Sequence, residues 1–92
     1  MPATLADTVR IPAHIAAQRV RDEMALLDHE TGVYFGLDDV GARMWELLAE
    51  HGRVQRVAEI LEAEFEVDAA RLRADLLRLV DELSTAGLLE LA

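Results

Sequence analysis

The chain has 92 residues, of which 52% are hydrophobic, and a net charge of -9 from 18 acidic and 9 basic side chains. This is the length of one domain with enough apolar mass for its own core, and its acidic field repels phosphate backbones, which argues against a nucleic-acid partner. Every basic residue is an arginine and there is no cysteine, which excludes disulfides, thiol nucleophiles and zinc–thiolate sites and fits a reducing compartment.

Residues 1–8 are expected to form a flexible N-terminal arm ahead of one domain over 9–92. Val9–Ile11 can form a short strand, stopped by Pro12, which has no N–H for a ladder. His14–Val20 alternates moderately, with Ile15, Ala17 and Arg19 on one side, and reads as a strand. Arg21–Glu23 is a polar turn. Met24–Leu27 is an apolar run too short for a helix, so a strand is preferred. Asp28–Gly32 is a hairpin turn: Gly32 supplies the positive φ, and Asp28 can accept from the backbone ahead of it. Val33–Leu37, rich in β-branched and aromatic residues, is the next strand.

Helices follow. Asp38 or Asp39 caps the first, whose apolar face carries Val40, Met44, Leu47 and Leu48 with Trp45 on its flank, and Glu50–Gly52 ends it. The second runs from about Val54 to Glu64, with Val57, Ala58 and Leu61 inward. Asp68 caps the third, from about Ala69 to Ala86, and Gly87 closes it. In that third helix Leu72, Leu76, Leu79 and Leu83 form one apolar row, and Leu77, Val80 and Ala86 lean to another side. That exceeds the three or four apolar residues per two turns of a surface helix. Either the helix is central and buried, or its second apolar side serves something else.

Catalytic chemistry has little to stand on. His14, His29 and His51 lie far apart along the chain, without the i,i+4 spacing of a helical zinc pair. His29 between Asp28 and Glu30 is better explained as a solvated turn than as a metal site. Ser84, the only serine, has no nucleophile motif around it. The glycines form neither a P-loop nor a dinucleotide fingerprint. No enzyme activity, cofactor or metal is therefore expected. No apolar run reaches the roughly 20 residues of a membrane span, and the N-terminus lacks the parts of a signal peptide, so a cytoplasmic protein with no membrane partner is expected.

Three helices beside a hairpin also outline a winged helix-turn-helix. A DNA-reading helix is rich in basic and amide side chains, whereas here Glu59, Glu62 and Glu64 oppose Arg56, and Asp75, Asp81 and Glu82 oppose Arg71, Arg73 and Arg78. A winged-helix DNA-binding protein is the alternative of another class. Peptide capture fits better. The Val33–Leu37 strand has no charged residue guarding its edge, so an extended peptide could add there as a strand and use apolar pockets toward the third helix. The competing possibility is an edge covered by the N-terminal arm or a second subunit.

The ordered set Leu26-Leu27-Asp28, Thr31-Gly32-Val33-Tyr34-Phe35-Gly36-Leu37-Asp38 and Gly41-Ala42-Arg43-Met44-Trp45-Glu46-Leu47-Leu48, with the ending Asp75-Leu76, Leu79-Val80, Leu83 and Gly87-Leu88-Leu89, resembles the PqqD-like family over about residues 9–91. Val40 stands where the family often has Thr. The resemblance implies an α+β fold, a three-stranded antiparallel sheet followed by three helices in a winged helix-turn-helix-like outline. It implies a precursor-recognition element for ribosomally made peptides, with a leader peptide binding beside the third strand of the sheet and packing on the third helix. Carried over by position, the site is Val33, Tyr34, Phe35, Gly36 and Leu37 with Arg71, Leu72, Asp75, Leu76 and Leu79. The partners it implies are the precursor's leader and a separate leader peptidase or other maturation enzyme. Two groups of stand-alone domains fit: lasso-peptide pathways, and pyrroloquinoline quinone (PQQ) synthesis with a radical enzyme. The arginine-only basic content and the loose N-terminus favour the lasso type.

Overall fold

The computed structural model describes residues 2–92. Its elements in chain order are β1 (Val9–Arg10), β2 (Ile15–Val20), β3 (Glu23–Asp28), β4 (Tyr34–Leu37), α1 (Asp39–His51), α2 (Val54–Glu64), α3 (Ala69–Thr85) and β5 (Glu90–Leu91). β2, β3 and β4 form an antiparallel three-stranded sheet in that order, as the resemblance implied. The tail after α3 pairs back on the chain start: Val9 faces Leu91 and Arg10 faces Glu90 in a separate two-stranded ladder.

Each helix end has a physical cause. Asp38 caps α1, its Oδ1 accepting from the Gly41 N–H at 2.8 Å. Gly52 ends α1 at φ 74°, donating its N–H to the Leu48 carbonyl at 2.9 Å and accepting from the Val9 N–H at 2.8 Å. Asp68 Oδ1 accepts from the Ala70 N–H at the start of α3. At its end the Gly87 N–H donates to the Ser84 carbonyl and the Leu88 N–H to the Leu83 carbonyl. With Gly87 at φ 79°, this is a Schellman motif. α2 has no side-chain cap. The Asp7 carbonyl takes that role, accepting from the Val54 N–H at 3.0 Å.

Residues 2–8 therefore do not hang free as the expected arm. Ala3 is buried, its N–H donating to Asp81 Oδ1 at 2.6 Å, and the Thr8 carbonyl accepts from the Ala92 N–H. The arm lacks hydrophobic periodicity because it is held mainly through its backbone.

The core is built from Met24, Leu26 and Leu37 of the sheet, Met44, Trp45, Leu47 and Leu48 of α1, Val54, Val57 and Leu61 of α2, and Leu72, Leu76, Val80 and Leu83 of α3, closed by Leu88 and Leu89. α1 packs against β3, β4 and α2, and α2 against α3. Two helix facings differ from expectation. In α1 Val40 is 37% exposed, because it stands in the first turn beside a surface cavity, while Trp45 is buried in the core. In α3 the buried row is Leu72, Leu76, Val80 and Leu83, while Leu79 is half-buried.

Asp28 is the buried acidic residue of the hairpin turn. Burial pushes its carboxyl up. The Glu30 and Thr31 N–H groups donating to it, the Thr31 hydroxyl and His14 outweigh that, so the net shift is below its ordinary value. A depressed folded-state value gives stability that is present above the unfolded value and is lost as pH falls through the folded one. Asp28→Asn should therefore flatten the acid limb of a urea-stability profile below about pH 4, leaving the neutral limb with the same shape. An unchanged acid limb would show that Asp28 contributes nothing to it.

Candidate peptide-binding groove

β4 is an edge strand. At its start the Asp28 N–H donates to the Val33 carbonyl at 3.0 Å, and the register continues through Leu27↔Tyr34, Leu26↔Phe35, Ala25↔Gly36 and Met24↔Leu37. In an antiparallel ladder, hydrogen-bonded and non-hydrogen-bonded pairs alternate. Phe35 and Leu37 therefore spend their backbone groups on β3, while Tyr34 and Gly36 turn their N–H and C=O groups away from the sheet. Those are the groups a further strand would use.

Side chains alternate with the same period, to the two faces of the sheet. Tyr34, 70% exposed, and Gly36 lie on the outer face. A Cβ at Gly36 would meet nothing within 4 Å, so open space rather than crowding surrounds this position. Leu37 is buried in the core, and Phe35, on the same face, is only half-buried.

Phe35 is half-buried because a cavity of about 450 Å³ opens beside it, lined by Phe35 and by Asp81, Glu82, Thr85 and Ala86 of the end of α3. A second cavity of about 410 Å³ lies between the start of α1 and α3, lined by Asp38, Val40, Gly41, Met44, Asp75, Arg78, Leu79 and Glu82. Glu82 belongs to both. Among the α3 residues lining these cavities, Asp75, Leu79, Glu82 and Ala86, spaced 4, 3 and 4 apart, make one helical stripe beside the core row, flanked by Arg78, Asp81 and Thr85. Arg78 is held by Asp75 at 2.8 Å.

The residues expected at the site divide accordingly. Tyr34, Phe35, Gly36 and Leu37 form β4, and Val33 precedes it, 43% exposed in the turn. Asp75 and Leu79 line the second cavity. Leu72 and Leu76 are 5% and 0% exposed in the core, so neither offers a side chain to a ligand. Arg71 is exposed but lines neither cavity. Arg78, Asp81, Glu82, Thr85 and Ala86 of α3 line the cavities as well and were not among the expected residues. His29 stands in a solvated turn, as expected. The side chain beside Asp28 and Glu30 is His14, just before β2, with Nδ1 3.4 Å from a Glu30 carboxylate oxygen, while His29 is exposed. Among the described residues no group of three or more histidines and carboxylates is arranged to hold a metal, and no helix is long and apolar enough to cross a membrane.

Comparison with known proteins places this geometry. Residues 23–89 match the family described as coenzyme PQQ synthesis protein D (PqqD). No curated protein matches significantly. Among solved structures, the chain is similar to TbiB1 in complex with the TbiA(beta) leader peptide, with 37% identity and a TM-score of 0.81 over 88% of this chain and 94% of that one. It is also similar to a lasso peptide synthetase B1 complexed with its leader peptide, with 28% identity and a TM-score of 0.79 over 89% and 96% of the two chains.

The alternation along β4 has a direct readout in the free protein. Amide hydrogen exchange followed by NMR should show Phe35 and Leu37 protected, and Tyr34 and Gly36 exchanging much faster. Uniform protection along the strand would mean that its outer edge is already covered.

Proposed function

The chain belongs to the PqqD family, and we propose that it is a non-catalytic adaptor that captures the leader of a ribosomal precursor peptide, of the lasso type, by strand addition at β4. Residues 9–92 are the recognition domain, and the captured precursor is presented to a separate leader-cleaving protease or another maturation enzyme. The observation that carries this reading is the pair of outward backbone positions, Tyr34 and Gly36, beside cavities walled by α3. An added strand gains main-chain hydrogen bonds from these two residues, and its alternate side chains fall toward Phe35 and α3. Whole-chain similarity to two leader-bound proteins supports it. It also favours the lasso pathway over the PQQ pathway from which the family takes its name.

Phe35 is the natural anchor, an aromatic side chain packed against the core cluster and lining the cavity. Truncating such a residue at the centre of an interface costs more than about 1 kcal/mol. In titrations with the leader of the precursor encoded beside the gene, and with the TbiA(beta) leader for comparison, Phe35→Ala and Leu79→Asp should each weaken binding about tenfold or more. Both variants should remain folded by circular dichroism. Leu76→Asp, by contrast, places a carboxylate at a fully buried position and should unfold the domain. If the two groove variants bind like the wild type while folded, the groove is not the binding site.

A further inference from the structure

The groove walls are not electrically neutral. The two cavities are lined by four carboxylates, Asp38, Asp75, Asp81 and Glu82, and one guanidinium, Arg78. Most of these have internal partners. Asp38 caps α1, Asp81 accepts from the Ala3 N–H, and Asp75 and Arg78 hold each other. Glu82 is different. It is exposed, it borders both cavities, and among the described residues it has no ion-pair partner. The remaining paired arginines, Arg10, Arg19, Arg43, Arg56 and Arg73, are spent on Glu90, Glu46, Glu64, Glu59 and Glu62, and none of them lines either cavity.

Resting on the strand-addition reading, we propose that Glu82 is a specificity-determining residue that selects a leader carrying a lysine or arginine two positions along from the apolar side chain seated against Phe35, on the same face of the added strand. A cation there meets a free carboxylate in an excess of negative charge, whereas an acidic side chain meets repulsion on both sides of Glu82. Charge across an interface sets register and rejects wrong partners more than it adds raw affinity. The pair is partly solvated, so its effect on affinity is modest and falls with salt.

The test is selection from a displayed library of random 20-residue peptides against the wild type and against Glu82→Lys, both first confirmed to be folded. Binders are kept when they protect the Tyr34 and Gly36 amides from exchange. Wild-type binders should be enriched in lysine or arginine two positions from an apolar residue, and Glu82→Lys should enrich aspartate or glutamate there. In a selected peptide, replacing that cation by glutamine should weaken binding about threefold to fivefold at low salt. The same replacement should have almost no effect on Glu82→Gln, because the interacting pair is already broken. Strand-adding peptides with no charge bias, identical for both proteins, overturn the role of Glu82 and leave strand capture standing. Failure to select any peptide that protects Tyr34 and Gly36 overturns the strand-addition reading and this inference with it.

Discussion

A strand can pair on two sides, and β3 takes only one side of β4. That constraint organises the functional half of the molecule. With Phe35 and Leu37 bonded to β3, the N–H and C=O groups of Tyr34 and Gly36 have to be met by water or by another chain. The opposite edge of the same sheet is handled otherwise. By the same alternation, set there by the His29 N–H donating to the His14 carbonyl, β2 turns Ile15, Ala17 and Arg19 outward along its backbone. Arg19 is a charge on that edge, tied to Glu46 of α1 at 3.2 Å. Charge on an edge discourages pairing with a further chain. The sheet thus has one guarded edge and one open edge, and the open one is beside the cavities.

What keeps the groove open is the anchoring of its helical wall. β4 passes straight into the Asp38 cap, so α1 begins where the strand ends and packs beneath β3 and β4. α3 is fixed at both ends. Asp68 caps its start, and the Schellman turn at Gly87 returns the chain to Leu88 and Leu89 in the core. The N-terminal residues add a third tie through Ala3 and Asp81, on the stretch of α3 that borders Phe35. A preformed groove spares a ligand the cost of ordering the protein, which is how a short extended peptide can bind usefully.

The hairpin at Gly32, a cap at Asp38 or Asp39 and the bounds of α2 were legible in the sequence because each depends on neighbouring residues, while the three-stranded sheet came from the family resemblance. The free edge was legible too, since nothing charged interrupts Tyr34 to Leu37. Less legible was which α3 row faces the groove. Leu72, Leu76 and Leu83 and the stripe Asp75, Leu79, Glu82, Ala86 both satisfy helical spacing, and Leu79 extends either one. Only the packing of Val80 against the core decides between them. A mixed stripe of acids and small or apolar residues has little hydrophobic signal of its own, so Glu82, Thr85 and Ala86 could not be singled out. The β1–β5 pairing and the capping of α2 by Asp7 join residues far apart in sequence through backbone groups, which leave no trace in side-chain pattern.

The wing-and-helix outline is shared with proteins that read DNA, and charge explains why this one is suited to another ligand. A DNA reader keeps its arginines free to release counterions from phosphates. Here Arg43 is bound by Glu64 of α2, with Nε 3.0 Å from its carboxylate, and Arg73 of α3 is bound by Glu62 at 3.0 Å. The Glu64 contact raises Arg43 and depresses Glu64 itself, the mark of a committed pair. With those cations neutralised within the helical layer, and Asp75 paired with Arg78, the residual field over the groove belongs to Asp38, Asp81 and Glu82. A polyphosphate would be repelled there. An extended peptide bound as proposed would satisfy the backbone of Tyr34 and Gly36, fill the space beside Phe35, and meet walls in which acids outnumber the one arginine.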